Sequence, residues 1–249
     1  MSDKAQKVPR EQQKDLHLLT MNTPNGQKAQ IGLEECKALY GTDFSYEVVN
    51  IMTNAQKEDW FLKLNPNGRI PVLVDNKVEN GSKEPFSVME TAAILLYLAK
   101  RVDKNDTFGF KDELERNQCL QWMFWQMGGQ GPMQGQLNHF GKYAKEKIPY
   151  GIKRYHDETL RLIDVIELHL SGKYNNGVER EYLCGSDNGN KGKYSFADIC
   201  CYPWAALSEK SGIEKEELEK RKHFTAWVDR IAARPAVQTG TGSKYDLPK

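Results

Sequence analysis

The sequence predicts an α/β domain followed by an all-helical domain. Three observations carry this. A strand–helix–strand unit occupies residues 16–48, and a proline-initiated hairpin with a helix behind it occupies 70–101. Beyond Val102 strand signals almost vanish, while helical spacing recurs in Asp112–Met127, Tyr155–Leu170, Phe196–Lys210 and Glu216–Ala233. The expected organisation is a loose tail at 1–14, an α/β domain at 15–101, a linker at 102–111, a helical domain at 112–237 and a second tail at 238–249.

Each element has its own signal. Leu16, Leu18 and Thr20 alternate with His17 and Leu19 as a strand does. Asn25-Gly26 opens a helix with Ala29, Leu33, Cys36 and Tyr40 on one face, and Gly41 stands where a helix C-terminus favours glycine. Phe44, Tyr46 and Val48 alternate with Ser45 and Glu47, so a second strand follows. A strand–helix–strand unit implies that the two strands are parallel. A short helix is expected over Ala55–Leu64, then a turn at Asn65-Pro66-Asn67-Gly68. Ile70–Val74 reads as a buried strand, 76–85 as a polar loop, Phe86–Val88 as the return strand and Glu90–Arg101 as a buried helix. In the helical half the clearest stripe is Tyr155, Thr159, Leu162, Ile163, Ile166 and Leu170, with Asp157, Arg161, Asp164 and Glu167 opposite. Ser195-x-x-Asp198 is a helix-start capping pattern. Trp122, Phe124 and Trp125 read as domain-interface core rather than a substrate cage.

Composition narrows the function. The 249 residues carry 35 Lys+Arg and 34 Asp+Glu, a formal charge of +1, which lacks the basic excess of a nucleic-acid binder. The longest apolar run, Ala92–Ala99, is far short of the roughly 20 residues that span a bilayer, so no membrane partner is expected. Five cysteines form neither CxxC nor a Cys/His zinc spacing, so no metal is expected. Their odd number without a signal peptide suits a reducing compartment, and a cytoplasmic location is expected.

Three local patterns point to ligand chemistry, each with a plainer alternative. Thr23-Pro24-Asn25-Gly26 can simply turn a strand into a helix. Its helix N-terminus, Asn25 amide and Thr23 hydroxyl would also favour an anion. Ile70-Pro71 can be a proline that only prevents strand pairing, or a strand start whose backbone is open to a peptide-like ligand. Thr91 can be a helix N-cap, or its helix start can receive a carboxylate.

These motifs, with Gln121–Gly129, Gly131-Pro132-Met133 and Ile148-Pro149-Tyr150 through Arg154-Tyr155, resemble the cytosolic glutathione transferases. They are most similar to the Nu-class branch of bacteria and fungi, relatives of the yeast nitrogen-catabolite regulator. The resemblance covers about Leu16–Val237. It implies a thioredoxin-like glutathione-binding domain, a helical transferase domain and a homodimer. It also implies a cis Ile70-Pro71 bond, glutathione bound by Gln56, Ile70, Glu90, Thr91 and Arg154, and a glutathione thiolate stabilised beside Thr23 and Asn25. For Arg154 a surface ion pair with Asp157 or Glu158 is the plainer account. The turn Met21–Gly26 holds no cysteine, unlike a thioredoxin or glutaredoxin, so disulfide chemistry would have to use the sulfur of bound glutathione. The expected activity is glutathione-dependent thiol–disulfide exchange with small disulfides. Conjugation to electrophiles, or a catalytically weak regulatory binding role, are the alternatives.

Overall fold

The computed structural model describes residues 8–78, 84–186, 189 and 191–248. The chain divides into two compact units, Met1–Lys104 with Arg234–Lys249, and Asn105–Ala233.

In the first unit β1 (Leu16–Thr20) leads into α1 (Pro24–Tyr40) and β2 (Phe44–Val48), and β2 pairs parallel to β1. The antiparallel pair β3 (Val72–Asp75) and β4 (Phe86–Val88) completes a sheet of order β2–β1–β3–β4, with β1 and β3 antiparallel. The helix α3 (Thr91–Arg101) follows β4, after a one-turn α2 (Asp59–Leu62) earlier in the chain. This is the thioredoxin-like arrangement that the resemblance implied. Gly41 closes α1 in the left-handed region, at φ 67°, and its amide donates to Lys37 O.

Several local details differ from the sequence expectation. All five residues of β1 are buried rather than alternating, because the strand is central and both of its faces are covered. The expected helix over Ala55–Leu64 is broken into 3-10 turns at Ile51–Thr53 and Ala55–Lys57 followed by α2. Asn54 at φ 61° and the extended Glu58 interrupt helical geometry there. The β3 ladder begins at Val72, not Ile70. Part of the 76–85 loop and of the N-terminal tail, residues 79–83 and 1–7, lies outside the described residues. From Val8 the supposed tail is tied down, its amide donating to Glu47 and Arg10–Gln12 forming a 3-10 turn.

The C-terminal residues are likewise no tail. Pro235–Thr241 form a helix seated on α1, where a Cβ on Gly240 would lie 2.8–2.9 Å from atoms of Ile31, so only glycine allows the approach. Arg234 binds Glu35 through two bonds of 2.7 and 3.0 Å. Tyr245 is fully buried and donates its hydroxyl to Glu34 at 2.6 Å. The sequence pattern missed this because residues 238–246 are small and polar, with no apolar period; one buried aromatic does the anchoring.

The second unit is helical. Here α4 (Glu113–Trp125) continues through a π-turn at Gln126–Gln130 into α5 (Gly131–Asn138), and a second π-turn spans His139–Tyr143. Next come α6 (Pro149–Leu170), α7 (Phe196–Ala206), short turns at Ser208–Ser211 and Lys215–Glu219, and α8 (Lys222–Ala232). The predicted stripe Leu162, Ile163, Ile166 and Leu170 is buried. None of Trp122, Phe124 and Trp125 is fully buried. Phe124 is 67% exposed, and the two tryptophans are half-buried around a cleft of about 540 Å³ beside His169 and Tyr174. At α7 the Asp198 carboxylate is wholly buried and accepts from Ser195 N and Oγ, Leu183 N and Trp227 Nε1, so the capping pattern is realised. Among the described residues no helix is long and apolar enough to cross a membrane.

Candidate functional site

The site is built at one end of the sheet. β1 ends at Thr20 and its parallel partner β2 ends at Val48, the two being register partners. Leu19 faces Val72 in the antiparallel β1–β3 ladder, so continuing the register sets Pro71 and Ile70 alongside the Thr20–Asn22 exit of β1. Leu73 faces Val88 across β3–β4, which likewise carries Glu90 alongside Pro71. The motifs at 23–26, 70–71 and 90–91, distant in sequence, therefore meet where the sheet changes from parallel to antiparallel pairing.

At the first of them Thr23 is the extended N-cap of α1. Its Oγ1 accepts from Gly26 N at 3.0 Å. That bond uses the oxygen and leaves the hydroxyl hydrogen, which no described residue accepts, free to point outward. Pro24 at the first helical position has no amide to leave unsatisfied. Gly26 is required by packing, since a Cβ there would fall 2.0 Å from Met21 O. Asn25 is exposed at the tip. The start of a 17-residue helix, with its positive dipole end, is a place for an anion.

At the second motif the Ile70-Pro71 bond is cis, as the resemblance implied. Ile70 packs against the cluster of Leu19, Val49, Ala55, Phe61, Val72 and Val74 while its backbone precedes the ladder. The 65–68 turn is fixed by Gly68 N donating to Asn65 O and Asn67 N to Asn65 Oδ1. Gly68 presses on the Ala55–Lys57 turn, a Cβ there meeting Gln56 O at 3.0 Å. This contact brings Gln56 to the same end. Gln56 is 7% exposed, and its Oε1 has no hydrogen-bond partner among the described residues. A buried amide oxygen without a partner carries a desolvation cost of about 1–3 kcal/mol, which a donor from a ligand would remove.

At the third motif the sequence reading needs correcting. The N-cap of α3 is Glu90, exposed and held at φ 68°, and Thr91 is the first helical residue. A non-glycine residue with positive φ costs on the order of 1–3 kcal/mol and concentrates at functional sites. The Thr91 hydroxyl accepts from Lys28 Nζ at 3.2 Å, with both side chains buried. An ammonium only donates, so Lys28 turns the Thr91 hydrogen away from itself. Sequence reasoning missed Lys28, because a single lysine in a helical pattern gives no sign that it is buried.

Arg154 lies in α6 of the helical unit. It is exposed and lines a cleft of about 610 Å³ with Met133, Tyr150, Lys153, Tyr155 and Arg161. The plainer surface-pair account survives only at longer range: the Arg161 hydrogen bond, then its charge, hold the Glu158 carboxyl down, and the Arg154 charge adds to them. Asp157 pairs with Lys153 at 2.5 Å and Glu158 with Arg161 at 2.7 Å, and Arg154 has no ion pair among the described residues.

All five cysteines are free and buried. Burial, with help from Asp103 and Glu35, pushes the Cys36 thiol up to about 12. Cys184 is also raised well above a free thiol, first by its hydrogen bond to Cys119 and then by burial. None is a primed nucleophile. Among the described residues no group of three or more His, Cys, Asp or Glu side chains could hold a metal ion.

Two family models match the chain: "Glutathione S-transferase, N-terminal domain" over residues 15–100 and "Glutathione S-transferase, C-terminal domain" over 152–235. Among curated proteins it is similar to the disulfide-bond oxidoreductase YfcG of Escherichia coli, 38% identical over 214 residues, 86% of this chain and 88% of the relative. Among solved structures, the glutathione transferase homolog of Lodderomyces elongisporus with two glutathiones per subunit superposes with a TM-score of 0.80 at 37% identity. That match covers 92% of this chain and 98% of the other. A glutathione transferase from Pseudomonas putida, with one glutathione disulfide bound per subunit, gives a TM-score of 0.80 at 30% identity, covering 94% of each.

Proposed function

Because the chain belongs to the glutathione S-transferase family, we propose that it is a Nu-class, glutathione-dependent thiol–disulfide oxidoreductase, cytoplasmic and homodimeric. The observation that carries the reading is the combination of a capped helix N-terminus suited to an anion with five cysteines that are all buried. A disulfide reductase built this way takes its reactive sulfur from the ligand. The relative named as a disulfide-bond oxidoreductase and the neighbours holding glutathione or its disulfide support the same reading.

Glutathione's thiol, with a pKa near that of cysteine at about 8.5, is only a few per cent ionised at neutral pH. Lowering it by about 2 units takes about 2.7 kcal/mol of preference for the anion. The α1 dipole, the Asn25 amide and the outward Thr23 hydroxyl would supply that preference. Neither side chain is an acid or base, so both stabilise the thiolate without moving a proton. Ile70 would pair its backbone with the cysteinyl part of the tripeptide. Glu90, the Thr91 hydroxyl and the start of α3 would hold the γ-glutamyl end. Gln56 would give its partnerless oxygen a donor, and Arg154 would meet a carboxylate with its two-pronged fork.

The chemistry is two exchanges. The thiolate of glutathione attacks one sulfur of a small disulfide, forming a mixed disulfide and releasing the other half as a thiolate. A second glutathione thiolate then attacks the glutathione sulfur of the mixed disulfide, yielding glutathione disulfide and the second thiol. Steady-state reduction of hydroxyethyl disulfide by glutathione, coupled to glutathione reductase at neutral pH, tests this. Turnover that persists when all five cysteines are replaced supports ligand-borne redox chemistry. No turnover, with conjugation of aryl halides intact, would move the assignment to electrophile conjugation.

A further inference from the structure

The residue just before the thiolate turn is held by the far end of the chain. Asn22 donates its backbone amide to Tyr245 O at 3.0 Å. Its side-chain amide donates to the Asp246 carboxylate at 2.7 Å and shares its other hydrogen between the carbonyls of Thr241 and Gly242, at 3.3 and 3.4 Å. Its Oδ1 in turn accepts from Gln27 Nε2, in the first turn of α1, at 2.8 Å. One half-buried asparagine thus uses its donors and its acceptor to join the C-terminal segment to both sides of the Thr23 cap.

The segment that grips Asn22 is itself anchored. Tyr245 is fully buried, its ring 4.9 Å from that of Tyr46 and its hydroxyl on Glu34 of α1. Lys244 also pairs with Glu34, at 2.5 Å, and stands over the Phe44, Tyr46 and Tyr245 rings. Burial, then the Glu34 contact, raises the Tyr245 phenol, so it stays a neutral donor across the working pH range. Thr23 lies one peptide beyond Asn22. A shift of about 1 Å in a positioned group is enough to cost on the order of a hundredfold in rate.

We infer that Asn22 is a positioning residue, through which the C-terminal strap 235–246 holds the Thr23–Asn25 turn in the geometry that stabilises the glutathione thiolate. The inference rests on the proposed role of that turn. Asn22 touches no reacting atom in this account; it acts on Thr23 and Asn25 by fixing the peptide ahead of them.

The test measures the pKa of the glutathione thiol bound to the wild type, to Asn22→Ala, to Asp246→Ala and to the double variant, from thiolate absorbance against pH. Amide hydrogen exchange at Thr23 and at residues 25–27 is followed in the same proteins without ligand. Asn22→Ala should raise the bound thiol's pKa by about one unit, a roughly threefold loss of thiolate at neutral pH, with glutathione Kd changed far less. It should also speed exchange at the turn. Asp246→Ala, at an exposed site, should give a smaller change of the same sign, and the double variant should be no worse than Asn22→Ala alone. Should Asn22→Ala fail to fold, Asp246→Ala decides by the same two readouts. An unperturbed thiol pKa in the wild type would remove the thiolate reading and the inference with it. A lowered wild-type pKa that both variants retain, with exchange unchanged, would overturn the inference alone.

Discussion

Asn25 stands exposed at the second position of α1, next to a cap whose oxygen is already engaged by Gly26 N. Replacing it by alanine removes a polar side chain at the anion position without opening the core. The bound thiol's pKa should rise by about one unit, shifting the ascending, acid-side limb of the pH–rate profile to higher pH with thermal stability nearly unchanged. An unmoved profile would take Asn25 out of the mechanism. Arg154 makes the complementary case. Among the described residues no carboxylate lies within ion-pair distance of it, Asp157 and Glu158 pairing with Lys153 and Arg161. Arg154→Ala should weaken binding of glutathione, measured calorimetrically, by roughly tenfold while leaving the thiol pKa in place. Affinity equal to the wild type would leave Arg154 as surface charge. At this scale the sequence shows residues whose chemistry depends on a local turn, such as Thr23, Asn25 and Ile70-Pro71. It hides Lys28 and Asn22, whose partners, Thr91 and residues 241–246, are 63 residues or more away.

Elements were readable where one local rule decides them and obscure where packing does. Gly41 and the Ser195/Asp198 box mark helix ends through backbone geometry, and both ends occur as the residues suggest. The α1 periodicity understated burial: Lys28, Gln30, Glu34 and Glu35 are all buried with the apolar face, the two glutamates bound by the strap from Arg234 to Tyr245, Lys28 on Thr91 and Gln30 on Thr20 and Met21. No period within α1 announces a second covering layer. The Asp198 carboxylate shows how much one residue can hold an element. It gathers four donors from Ser195, Leu183 and Trp227, joining the start of α7 to the 183 segment and α8. Asp198→Ala leaves those buried neutral donors without a partner, at a cost of about 1–3 kcal/mol for each donor that stays unsatisfied. Urea unfolding of the variant should show the midpoint falling accordingly; a change under 1 kcal/mol would mean that water replaces the carboxylate without penalty.

For the molecule as a whole, one central histidine makes a separable contribution to acid stability. His17 lies in the middle of the sheet, 1% exposed, with Nδ1 at 2.8 Å from Ser45 Oγ and Nε2 without a partner among the described residues. Burial holds its imidazole down at about 4, against 6.5 when free, so the folded chain keeps it neutral where the unfolded chain protonates it. The depressed value fixes the sign. His17 leaves stability intact above pH 6.5, and stability falls as pH drops from there toward 4, because the unfolded state takes up a proton that the folded state refuses. Asp198 acts in the opposite sense: burial pushes its carboxyl up despite its four hydrogen bonds, so acid relieves a buried charge. A raw pH–stability curve therefore mixes two signs, and the difference between wild type and His17→Val isolates the histidine. Denaturant midpoints at pH 7 and pH 4.5 should show the variant losing less stability than the wild type, by on the order of 2 kcal/mol. Parallel losses in the two proteins would show that His17 is protonated within the fold, its charge met by Ser45 or by water at Nε2.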